Sequence, residues 1–174
     1  VRQYTQKTYK PLGGCATNHG AMSSNETQPA VDSPAAEPVR FATKIAVLLR
    51  DDLELWQRLN VTAFVVSGLA SADPELIGEP YEDADGTTYL PMFRQPVMIF
   101  SGAKEVMARA HAKALDRGLR FAVFTSELFE TGNDRDNRAA VRAVARDQLD
   151  VVGMAIHGPK NSVDKIIKGA TLHH

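Results

Sequence analysis

Cysteine is nearly absent: Cys15 is the only one in 174 residues. An intrachain disulfide is therefore impossible, and a zinc site built from several thiolates is excluded. Charge of one sign is missing too. Twenty Lys and Arg against 21 Asp and Glu leave a formal charge of −1, which gives no global attraction to nucleic acid or to an anionic membrane. Aromatic residues make up only 7% of the chain, few for a surface that would stack on bases, so the composition argues against a nucleic-acid partner. No apolar run reaches the length of a membrane span. Ser67-Gly68 and Ser101-Gly102 are isolated, without the spacing of a Walker or dinucleotide-binding loop, and no His-x-x-x-His or clustered carboxylate pattern suggests a metal. Neither a cofactor nor a metal is expected.

The first 40 residues hold little that could form a core. Between Met22 and Arg40 the chain is Ser, Asn, Glu, Gln, Pro and Ala, a composition that cannot offset the entropy of ordering. Residues 1–40 are expected to be a disordered tail and residues 41–174 a single α/β domain. Leu12-Gly13-Gly14-Cys15 has the form of a lipoprotein cleavage box, but polar residues stand where such a box needs an apolar segment of about 7–15 residues. The expectation is a flexible leader or a misassigned start, with Met22 the initiator and the protein cytoplasmic.

What the rest contains is an alternation of buried strands and amphipathic helices. Lys44-Ile45-Ala46-Val47-Leu48-Leu49 is apolar throughout after its lysine, as suits a strand covered on both faces. Arg50-Asp51-Asp52 ends it, and Asp52 is placed to cap the following helix. In that helix Leu55, Trp56, Leu59, Ala63, Val66 and Leu69 recur at helical spacing through about Ala70. Val61, Phe64 and Val65 widen its apolar surface so far that it must be deeply buried or covered by a second subunit. Asp85-Gly86 between Tyr81 and Tyr89 signals a hairpin. The strand Val97-Met98-Ile99-Phe100 leads to a second helix, with Ala103, Val106, Met107, Ala110 and Ala114 on its apolar face and Gly118 as its stop. Phe121-Ala122-Val123-Phe124 is a third buried strand. Residues 125–137 read as a loop with a turn of helix, 138–150 as a third helix, and Val151-Val152-Gly153-Met154-Ala155-Ile156 as the last strand. Gly158-Pro159 then turns the chain into a closing helix. Strands and helices in this order predict layered α/β architecture with about four main strands.

Ligands of open α/β sheets sit beyond the C-terminal ends of the strands. That rule nominates Arg50, Asp51 and Asp52 after the first strand, Thr125, Ser126 and Glu127 after the third, and His157 with Lys160 after the last, with Asn60 on the first helix. Carboxylate, hydroxyl, imidazole and amine together would suffice for acid–base work if they converged. The plainer expectation is that Asp52 caps a helix, Ser126 closes a turn and His157 bonds locally. Arg138, Arg142 and Arg146, like Arg109, Lys113 and Arg117, recur every four residues, and on helices would form basic ridges. Flanking acids make them ordinary solvated faces.

Three segments resemble the type-II peptidyl-tRNA hydrolases: residues 44–53, with a basic residue and an Asp-Leu pair after the strand; residues 95–124; and residues 151–169, with the Gly158-Pro159 turn and the Val163-Asp164-Lys165 helix. Residues 41–172 are more closely similar to bacterial proteins of domain-of-unknown-function family 2000, through the Phe124-Thr125 strand end and the Ile156-His157-Gly158-Pro159 turn. The resemblance implies a three-layer α/β/α fold with a mixed sheet. It does not carry the reaction over. Asn60, Phe64 and Ser67 stand where the hydrolases have a lysine, a glutamine and a histidine. Thr125-Ser126-Glu127-Leu128 stands where they place an aspartate, leaving Thr131 alone as a counterpart of their downstream threonine.

Two functions follow as expectations. The first is a non-catalytic domain that binds a small molecule or a partner, as a homo-oligomer. The second is a hydrolase of amide or ester bonds, with His157, Asp52 and Ser126 as its acid–base and polar groups and Asp51, Asn60, Thr125 and Lys160 lining the site.

Overall fold

The structure, a computed structural model, describes residues 39–173. The expected tail (save residues 39 and 40), the sequence around Cys15 and the Met22 start lie outside the described residues.

Strand β1 (Thr43–Arg50) is buried from Ile45 through Leu49, as its unbroken apolar run requires. Helix α1 (Leu55–Ala72) follows, then a hairpin of β2 (Tyr81–Glu82) and β3 (Thr88–Tyr89), strand β4 (Val97–Gly102), helix α2 (Lys104–Asp116) and strand β5 (Phe121–Thr125). Helix α3 (Asp134–Arg142), strand β6 (Val151–Pro159), helix α4 (Lys160–Ile166) and strand β7 (Thr171–Leu172) complete the chain. The main sheet runs β5-β6-β1-β4-β7. Strands β1 and β4 are parallel, while β6 is antiparallel to both β1 and β5. This gives the expected four main strands plus β7, a two-residue edge strand that no periodic signal announced.

Alternation along β1 divides the core in two. Ile45, Val47 and Leu49 face Val61, Val65 and Leu69 of α1. Ala46 and Leu48 face Met107, Ala110 and Ala114 of α2 together with Val163 and Ile166 of α4. The result is one helix on one face of the sheet and two on the other. Each fully buried aliphatic side chain stabilises the fold by about 1.5–3 kcal/mol. On β6 the register shifts: Phe124 pairs with Gly153, but Thr125 pairs with Val151. The extra residue is Val152, and such a bulge reverses the alternation. Val152 therefore joins the α1 side, and Val151 joins the α2 and α4 side.

Two glycines fix the local geometry of the helices. A Cβ built on Gly153 would lie 2.2 Å from Cγ1 of Val61, so a bare backbone at that position lets α1 settle against the sheet. Gly118, at φ +62°, ends α2 as its sequence position predicts.

Two expectations need correction. The N-cap of α1 is Glu54, whose backbone N–H donates to Oε1 of Gln57 at 2.9 Å. Asp52 lies too far upstream to cap the helix and pairs with Arg50 instead. The third helix also begins earlier than 138, at Asp134, because the Asn133 side chain accepts from the Asp136 N–H at 3.0 Å, and acidic residues suit a first turn. It ends at Arg142, so Arg146 does not share its ridge. With no buried residue to anchor it, nothing carries the helix on towards β6.

Candidate functional site

Because β1, β4 and β5 point the same way, their C-terminal ends meet at one end of the sheet, where β6 begins. Arg50 closes β1 there. Its guanidinium donates from Nε and Nη2 to the two oxygens of Asp52, both at 2.8 Å, and from Nη1 to Oδ1 of Asp150 at 2.7 Å. Lys104, from the first turn of α2, reaches the same Asp150 oxygen at 2.8 Å. The Ser126 N–H donates to the Asp150 carbonyl at 3.0 Å. Burial pushes the Asp150 carboxyl up, but hydrogen bonds from Lys104, Ser126 and Arg50 outweigh it and hold the group at about 2. The bidentate bond from Arg50 lowers Asp52 as well, and the same bond raises Arg50. A bidentate guanidinium–carboxylate pair is a strong, geometrically fixed contact. Each charge in this cluster is already answered by a neighbour, so it acts as a tie between β1, α2 and the start of β6.

Beside the tie runs a groove of about 610 Å³, between α2 and residues 146–151. Lys104, His111, Arg146, Asp147 and Asp150 line it. Burial, and then the charge of Arg146, lower the pKa of His111. Its ring stands edge-on to Phe121 at 5.6 Å.

The opposite end of the sheet is built differently. β6 runs against β1, with His157 opposite Ile45 and Gly158 opposite Lys44. Helix α1 returns over the sheet from the far end, so its C-cap, Asp73, comes down beside His157. Nδ1 of His157 lies 3.4 Å from Oδ2 of Asp73, while Nε2 is buried without a hydrogen-bond partner among the described residues. Both residues line a pocket of about 420 Å³, with Leu69, Leu76, Leu119 and Arg120 among its other walls. One Arg120 N–H reaches the Ala72 carbonyl at 3.5 Å.

The residues nominated from sequence therefore do not converge. Asp51, Asp52, Thr125 and Ser126 gather at the first end. His157 and Lys160 lie at the other, six or seven strand residues away, or about 20 Å at the rise of a β-strand. The strand-end rule failed for β6 because that strand is antiparallel. Asp51 is exposed and engages through its backbone, donating to the Gly102 carbonyl and accepting from Arg58. Thr125 is fully buried and its hydroxyl has no partner among the described residues. Asn60 is exposed on the outer side of α1 and lines neither pocket. Lys160 is near His157 in sequence but borders a separate hollow with Thr43 and Gln95.

Sequence reasoning missed Asp73 and Arg120, which share the His157 pocket, and Asp150 and Lys104, which complete the tie. Asp73-Pro74 carried a legible signal as a helix stop. Its meeting with His157 depends on the direction of β6, which no residue pattern encodes.

Residues 43–174 match the family described as Protein of unknown function (DUF2000). A solved structure of a protein of unknown function from Agrobacterium tumefaciens strain C58 is similar with a TM-score of 0.75 and 44% identity, over 78% of this chain and 100% of that one. No curated protein matches the chain. Among the described residues no helix is long and apolar enough to cross a membrane, and no group of three His, Cys, Asp or Glu is placed to hold a metal ion.

Proposed function

The chain belongs to the DUF2000 family, and from its geometry we propose that it is a non-catalytic binding domain that takes a small ligand into the pocket beside His157. One observation carries this reading: the Nε2 atom of His157 is buried without a partner among the described residues, in a side chain that lines a pocket. A buried polar atom left unpaired is costly and calls for a partner. Asp73 beside Nδ1 attracts the ring proton to that nitrogen, which leaves Nε2 as an acceptor. A small turn of the ring would present the now-covered Nε2 to a ligand N–H or O–H, while Arg120 takes a carboxylate or carbonyl oxygen. The ligand's apolar body rests on Leu69, Leu76 and Leu119. An apolar wall with a few placed polar groups is the usual make-up of a small-molecule site.

The His157–Asp73 pair also has the form of an oriented base, which favours the hydrolytic reading. Against that reading, none of the eight residues lining the pocket carries a hydroxyl or a thiol, so a covalent step has no Ser, Thr, Tyr or Cys nucleophile there. Calorimetric titration of a fragment set of small amides and carboxylates tests the proposal. A fragment that binds the unaltered chain should bind at least about tenfold more weakly to His157→Phe and to Arg120→Ala, and equally to Asp52→Asn. If the best binder ignores both pocket substitutions, the pocket is not the site. Cleavage of any amide or ester in the set would replace binding with hydrolysis.

A further inference from the structure

Helix α1 has an unusual outer side. Leu55 is 72% exposed, Trp56 55%, Leu59 64% and Phe64 51%, and every other exposed position from 55 to 72 holds Asn, Ala or Ser. None of the exposed positions along the helix is charged. We infer that this face is the interface of a homodimer, in which two copies of α1 pack antiparallel across a two-fold axis.

Area, charge and shape each favour a second copy of this chain. At about 150–250 Å² for a fully exposed aromatic side chain, the four large residues offer on the order of 500 Å² per copy. Two-fold symmetry doubles this to about 1,000 Å², and the small residues between them carry it above the threshold for a specific interface. An uncharged face cannot select a partner through an acidic or basic surface. Against its own copy it incurs no like-charge repulsion, as an isologous contact requires. The shape is graded along the helix: Leu55, Trp56 and Leu59 project from its N-terminal half, whereas Ser67, Ser71 and Ala72 leave its C-terminal half low. An antiparallel pairing about residues 63 and 64 sets the projections of each copy into the hollows of the other. A parallel pairing would oppose large to large and leave voids.

The two aromatic anchors are held from beneath. Trp56 meets Phe129 edge-on at 5.6 Å and donates from Nε1 to Glu54 at 2.7 Å. Phe64 meets Phe124 edge-on, also at 5.6 Å. Association therefore freezes little side-chain freedom, which is what lets a modest area hold two molecules together.

Sedimentation equilibrium of the full chain at tens of micromolar should give twice the 19.0 kDa chain mass. Leu59→Lys places a charge on the interface without touching the core, and Ser67→Trp fills a hollow. Each should weaken the dimer about 100-fold or more while circular dichroism stays unchanged. In a Cys15→Ser background, Ala63→Cys should form a disulfide with its own copy and Leu55→Cys should not. A monomer at tens of micromolar overturns the proposal, as does a dimer insensitive to both Leu59→Lys and Ser67→Trp. Ready self-crosslinking through Leu55→Cys overturns the antiparallel arrangement.

Discussion

Nδ1 of His157 stands 3.4 Å from Oδ2 of Asp73, although one residue lies near the end of a strand and the other caps a helix on a different part of the chain. The meeting is a consequence of topology. Helix α1 leaves the far end of β1 and crosses back over the sheet, so its C-terminus arrives where β1 begins. β6 runs towards that same end. An imidazole, a carboxylate and the guanidinium of Arg120 thus share one pocket, remote from the ion cluster around Arg50.

The seat of α1 depends on Gly153. Replacing Gly153 with Ala would set a Cβ 2.2 Å from Cγ1 of Val61, with β6 backbone behind it and the helix in front. Overpacking of this kind costs about 1–3 kcal/mol. Urea unfolding should show a lower midpoint for Gly153→Ala, and adding Val61→Ala should recover part of the loss. Two substitutions that share one contact are not additive, and a purely additive double variant would show that the contact does not constrain the helix.

The Arg50–Asp150–Lys104 tie sets a pH dependence. The Asp150 carboxyl sits at about 2 in the folded chain against an ordinary value of 3.8. A carboxyl depressed by folding contributes its stability above the unfolded value and loses it as pH falls through the folded one. Asp52, lowered mainly by the hydrogen bond from Arg50, acts in the same sense. Unfolding midpoints should therefore decline between about pH 4 and pH 2. Asp150→Asn should be less stable at neutral pH by about 1.5–3 kcal/mol, the range for a hydrogen bond to a charged group. It should also show a shallower decline below pH 4. An unchanged slope would remove Asp150 from the acid response.

The layered fold was legible in the chain because its signals are local. Apolar runs at 45–49 and 151–156 mark strands covered on both sides. The Asp85-Gly86 turn marks the hairpin, and Gly118 marks the end of α2. The outer face of α1 was legible as well, since Leu55, Trp56, Leu59 and Phe64 exceed what one buried stripe can absorb. The candidate site was only half legible. His157 stood out at the end of a strand, but a run apolar on both faces reads alike in either direction. Nothing in residues 151–156 says whether His157 joins Asp52 and Ser126 or faces away from them. The cap of α1 was misplaced for a related reason: Asp52 has the right side chain, yet Arg50 two residues earlier competes for it with two hydrogen bonds.

Whether the pocket between Asp73, Arg120 and His157 receives a small ligand is tested most directly by nitrogen-15 spectra of the histidine side chains. In the free protein the His157 ring should carry its proton on Nδ1, with Nε2 appearing as an unprotonated acceptor. Titration with the tightest fragment from the amide and carboxylate set should move the His157 Nε2 resonance in a saturable way and leave His111 in place. A His157 resonance that stays fixed at saturation while His111, in the groove beside α2, responds would contradict ligand binding in this pocket.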